Sequence, residues 1–415
     1  MTTTAPASAY EPAARPPADI PVASRDLRLD VFRGLAMFII LVAHTPGNAW
    51  AEWIPARWGF SDATEIFVFC SGIASALAFG RTFARAGWTL GAARVVHRCW
   101  QVYWAHVGLF MATLALAVAL TQSGLGAGNY WGQLNLWPVI VDEGGWDNAS
   151  VLLGLMTLRY VPNYFDILPM YLVVLAMLPA VVALARVSVA LAAGASALLW
   201  LLAQGALLRA LGLDALHLAL PAEPWSDRTW FFNPFAWQLV LFTGYALAAG
   251  WLPAPPVRAP LVAAAAALVA LSMLPSQVGL RLLDLDAARL WVAANAGWFD
   301  KSDLGPLRYA HFLALAYLAW VAAGEGGRRL LARGGGAGAA AWNGAVGLVT
   351  RVGRQSLAVF VFSMGLARLS GFVLDVAGRT APTWALVNGA GFALLVAVAI
   401  VAGWFKGQPW RVRRT

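Results

Sequence analysis

Charge is scarce in this chain. Asp, Glu, Lys and Arg make up 12% of its 415 residues, about half the roughly 25% usual in soluble domains, which argues against an ordinary water-facing globule. Lysine is nearly missing: apart from Lys301 and Lys406 the basic residues are all Arg. Cysteine is scarce too, and Cys70 and Cys99 both fall in apolar stretches, so neither a disulfide framework nor a cysteine zinc spacing can be built. The five histidines, His44, His97, His106, His217 and His311, form no HExxH or clustered pattern. No bound metal and no resident cofactor are expected. No convincing internal repeat is evident.

What is present is apolar. Sixty per cent hydrophobic residues and a mean hydropathy of +0.67 place the chain in the polytopic membrane class. In that setting the wealth of Arg and Trp points to a lipid bilayer as partner, and no nucleic-acid partner is expected. Runs long enough to cross about 30 Å of hydrocarbon recur at 29–45, 60–80, 95–120, 165–185, 187–208, 234–251, 260–274, 307–323, 348–369 and 384–404. The fold class is therefore all-α, a polytopic membrane helix bundle of about ten transmembrane helices. The stretch 151–158 is too short to span and reads as re-entrant or interfacial. Residues 1–28 read as a disordered cytoplasmic tail, 29–405 as one integral membrane domain and 406–415 as a basic cytoplasmic tail. The first run is expected to be retained rather than cleaved, because Arg33 interrupts it and the chain stays hydrophobic afterwards.

Basic residues choose the orientation. With the N-terminus inside, Arg81, Arg85, Arg94, Arg98, Arg328, Arg329, Arg333, Arg351 and Arg354 gather in short inner connections, where the positive-inside rule has force. Both termini are then cytoplasmic and the long connections 121–164, 209–233 and 275–306 lie outside. Those connections hold Trp131, Trp137, Trp146, Trp225, Trp230 and Trp298. Interfacial anchoring explains most of the tryptophans, while those furthest from lipid suit stacking on sugar faces.

Ionisable side chains inside apolar runs are costly and are functional candidates by default. Arg33 and His44 share the first run, eleven residues and about 16 Å apart, three helical turns along nearly one face. The competing reading has Arg33 snorkelling to headgroups and His44 at the opposite interface. Glu65 is expected close in depth to His44, and a carboxylate beside an imidazole holds its tautomer and raises its basicity. Asp62 reads as a helix cap, and Glu65 fits a first-turn residue equally well. Asp166, Asn233, Gln238 and His311 fall at the same outer level, each alone explicable as a cap or an interhelical hydrogen bond.

Seven stretches carry a resemblance: RDLRLDVFRGLAMFIILVAHTPGN, FSDATEIFVFCSGIASALAFGR, RCWQVYWAHVGLF, YFDILPMYLVVL, FFNPFAWQLVLFTGYALAAG, DLGPLRYAHFLALAYLA and VGRQSLAVFVFSMGLA. With them the chain resembles the OpgC family of bacterial inner-membrane proteins, succinyltransferases of osmoregulated periplasmic glucans. The Arg33–x10–His44 spacing is also similar to a signature of the acyltransferase-3 superfamily, which implies an acyltransferase-3-like bundle. The resemblance implies transfer of an acyl group, succinyl in the best-known case, from cytoplasmic acyl-CoA to a hydroxyl of a periplasmic glucan. By match, His44 is the expected base. Glu65 is the expected second catalytic residue, and Arg33, Asp62, Asp166, Asn233, Trp237, Gln238 and His311 are expected to bind substrate. The rival class is a transporter or flippase that uses the same polar stripe as a permeation or proton path.

Overall fold

In a computed structural model, residues 26–126, 128–140 and 148–411 are described. Most of the expected N-terminal tail, Trp146 and the last four residues of the expected C-terminal tail lie outside them. The described residues contain no β-strand, only an isolated bridge between Pro221 and Thr229.

Eleven main helices carry the fold: α1 Leu27–His44, α2 Ala63–Arg85, α3 Gly87–Gln122, α4 Ile167–Val187, α5 Val189–Leu202, α6 Pro234–Ala248, α7 Ala259–Ser272, α8 Pro306–Ala323, α9 Ala337–Arg354, α10 Ser356–Ala377 and α11 Ala381–Gly407. Each of the ten expected runs coincides with one of these helices or, at 348–369, with two. Five are long and apolar enough to cross a membrane: α2, α3, α4, α10 and α11. A sixth span arises if α7 and the following Gln277–Leu283 helix, bent by 62°, count together. Helix α1 has the length but carries Arg28, Asp30 and Arg33, and α5 and α6 are short. The run expected at 348–369 is broken at Gln355, where α9 ends and α10 begins. The short piece near 151–158 is a nine-residue helix, Asn148–Met156.

The helices meet closely wherever glycine lets them. A Cβ on Gly72 of α2 would stand 1.9 Å from the Leu241 carbonyl oxygen of α6, and one on Gly244 would stand 2.3 Å from that of Phe69. The same device joins α1 to α9, where Gly34 faces Val349 and Gly353 faces Asp30. Small residues of this kind allow backbone-to-backbone packing where lipid supplies no hydrophobic drive. Phe67, Val68, Met170, Trp237, Leu241 and Phe360 form the centre of the buried core. Val187, Leu198 and Leu386 point outward, as lipid-facing side chains do.

Candidate active site

Helix α1 ends in His44, half-buried, with Nδ1 2.8 Å from the Ile40 carbonyl oxygen one turn back. A carbonyl only accepts, so Nδ1 carries the proton and donates it, and Nε2 is left as the basic nitrogen. The imidazole meets the Tyr164 ring edge-on, with centroids 5.6 Å apart. Tyr164 has φ of +89°, an outlying conformation for a bulky side chain. Its hydroxyl donates to the Met364 carbonyl at 2.6 Å, which ties the entry of α4 to α10. The charges close enough to act on His44 are Lys301, Asp62 and Arg368.

Asp62 caps α2, accepting from the Thr64 amide at 2.7 Å, while Glu65 accepts from the Asp62 amide at 2.8 Å, a reciprocal capping box. Both carboxylates are also paired. Lys301 donates to Asp62 Oδ2, and Arg308 donates from Nε to Glu65 Oε1 and stands 3.5 Å from Asp62. Burial acts to raise the Asp62 pKa, but Lys301 and Arg308 hold it well below the usual carboxylate range. Glu65 is fully buried. The expected contact of Glu65 with His44 is replaced by the one with Arg308, because a guanidinium buried that deeply on α8 requires a counter-charge. The carbonyl of Ile40 orients the imidazole instead.

Asn233, Trp237 and Gln238 shape the site from behind. Trp237 donates its indole N–H to the Lys301 carbonyl at 3.0 Å, and Asn233 donates to the Asp303 carboxylate at 3.0 Å while capping α6. The two hold the loop that delivers Lys301, whose ammonium also lies 5.5 Å from the Phe232 ring centre. Gln238 forms a closed pair with Ser196, receiving its hydroxyl at 2.6 Å and donating to its carbonyl at 2.8 Å. His311 Nδ1 meets the Ser61 hydroxyl at 2.8 Å, and its ring packs against Gly59 and Phe60. It thereby supports the segment that caps α2.

Asp166 stands at the N-cap of α4, buried, with Oδ1 lacking a hydrogen-bond partner among the described residues. Burial pushes its pKa up to about 7, against the pull of Arg228. Arg33 is placed three turns from His44, in the N-terminal half of α1, where Nη2 donates to the Ser356 hydroxyl at the start of α10. Asp30 beside it accepts from Arg354 at 3.0 Å. Of the loop tryptophans, Trp230 is buried, whereas Trp137 and Trp298 are exposed.

The structure thus sets Asp62 among the charges that act on His44 and adds residues that sequence reasoning passed over: Tyr164, Lys301, Arg308 and Arg368. Arg308 carried a signal, a charge inside the run of α8 three residues before His311. Tyr164 and Lys301 carried none, since one lies in a loop and the other reads as an ordinary outer cation.

A helical membrane protein with an oriented imidazole beside buried charges at one helix end is the class that fold and site define. Residues 25–407 match the family described as OpgC protein, and the chain belongs to that family. No curated protein and no solved structure matches it. Membership makes the chain a transferase.

Proposed function

We propose that the protein is an integral membrane O-acyltransferase that moves an acyl group, succinyl in our reading, from cytoplasmic acyl-CoA to a hydroxyl of a periplasmic glucan. The bundle is read as acyltransferase-3-like, with ten spans in the bacterial inner membrane and both termini cytoplasmic. One observation carries the reading: in a member of the OpgC family, His44 presents a basic Nε2 whose tautomer is set by Ile40.

Nε2 takes the proton of the sugar hydroxyl while its oxygen attacks the thioester carbonyl. The C–O bond forms, the C–S bond breaks, and His44 returns the proton to the departing CoA thiolate. The positive charges near His44 favour the oxyanion that develops on the carbonyl oxygen. Arg33 sits at the donor's entry side, suited to its phosphates. Asp62, through Lys301, positions one of those charges; Glu65 acts through Arg308, and Asp166, Asn233, Trp237, Gln238 and His311 shape the acceptor side.

Labelled succinyl-CoA, purified protein and glucan test this directly. His44→Ala is expected to lower ester formation by roughly 10²–10⁴-fold with expression retained. Wild-type protein that forms no ester but takes up glucan in response to an ion gradient would replace this reading with the transporter one.

A further inference from the structure

Helix α10 buries a second guanidinium, that of Arg368, at 7% exposure. Arg308, equally buried, is met by Glu65 and Asp62. Arg368 has no carboxylate within ion-pair distance among the described residues. Its Nη2 donates to the Gln133 side-chain oxygen and its Cζ lies 5.6 Å from the Tyr164 ring centre, while its Nε is buried without a hydrogen-bond partner. The acidic group that acts on it, Asp375, is engaged by Arg379 at 2.6 Å and by the Tyr130 hydroxyl at 3.1 Å. A charge buried this way is retained at a cost unless an anion arrives to meet it.

Tyr164 links Arg368 to His44. His44 and Arg368 each lie 5.6 Å from its ring centre, so twice that distance bounds their separation. The ring itself is held by the hydrogen bond from its hydroxyl to the Met364 carbonyl. A four-carbon dicarboxylic acyl group places its end carbons about 4 Å apart, three C–C bonds of ~1.5 Å. That length is shorter than the bound, which is an upper limit, and at the His44 end it is the attacking sugar hydroxyl that donates to Nε2.

We propose that Arg368, braced by Gln133 and Tyr164, receives the free carboxylate of a dicarboxylic acyl donor whose thioester carbonyl lies at His44, and so selects carboxylate-terminated over uncharged acyl groups. The inference rests on the acyltransferase reading above. A guanidinium suits this task because its planar N–H groups match a carboxylate at two points. Arg368 is a specificity residue in this account, and the bond-making steps remain those at His44.

The test compares succinyl-CoA with butyryl-CoA, a donor of equal length without the carboxylate, on the full-length protein and glucan. Wild type is expected to favour succinyl. Arg368→Met should shift the succinyl-to-butyryl ratio of kcat/KM by on the order of 100-fold, chiefly by loss of succinyl transfer. Gln133→Leu, which leaves the guanidinium in place, should move the ratio the same way by less, and serves if the first variant does not fold. Equal use of both donors by wild type, or equal loss of both in the variants, overturns the inference while the acyltransferase reading stands. No transfer from either donor by wild type overturns both.

Discussion

Replacing Glu65 with Gln removes the nearer of the two carboxylates on Arg308 and leaves the buried guanidinium only Asp62, 3.5 Å away and shared with Lys301. The expected cost is about 3–5 kcal/mol of stability, and Glu65→Gln with Arg308→Met should recover much of it; melting of the detergent-solubilised protein measures both. Asp166 makes a pH prediction. Its pKa is raised to about 7 from an ordinary 3.8, so the folded state binds the proton more tightly than the unfolded one. Its contribution is complete below pH 3.8 and is lost as pH climbs towards 7, at no more than about 1.4 kcal/mol per pH unit. Asp166→Asn should flatten that slope and melt higher than wild type at pH 8. Asp62 has the opposite sign, since its pKa is held down: its contribution is present above 3.8 and fades in acid. At this scale the sequence picks out which residues are expensive, because an ionisable group in an apolar run stands out whatever its partner. The partner of Glu65 was not legible, since a helix shows which residues share its face but not which neighbouring helix that face meets.

Among the elements, the α2–α6 and α1–α9 pairs are the most exacting. A side chain at Gly72 must displace the Leu241 carbonyl, and the α6 backbone cannot yield without breaking its own ladder. Gly72→Leu is expected to cost about 3 kcal/mol or more, whereas Gly194→Leu on α5, where the added side chain meets open space, should be nearly neutral. Melting temperature and yield after solubilisation distinguish the two. Helix positions were legible because long apolar runs bounded by Gly, Pro and charge leave little choice in lipid. The division of the run 348–369 at Gln355 was not, because those residues read as one run long enough to span. Arg354 and Ser356, on either side of the break, face α1, where Arg354 meets Asp30 and Ser356 meets Arg33.

For the whole molecule, the proposed orientation predicts that reporters fused at either terminus are active only in the cytoplasm. A single cysteine introduced at Trp298 should be labelled from outside by a reagent that does not cross the membrane; labelling only after permeabilisation would reverse the topology. The sequence by itself determined that this is a helical membrane protein, that Arg33 and His44 lie three turns apart on one helix, and that its motifs belong to OpgC. Scarcity of charge, run length and the rise of a helix are local properties, so they survive without knowledge of neighbours. Only the tertiary structure decided that Glu65 serves Arg308, that Lys301 pairs with Asp62, and that Tyr164 joins the His44 imidazole to Arg368. These contacts link residues up to hundreds of positions apart, and their pairing is settled by which helix faces pack together.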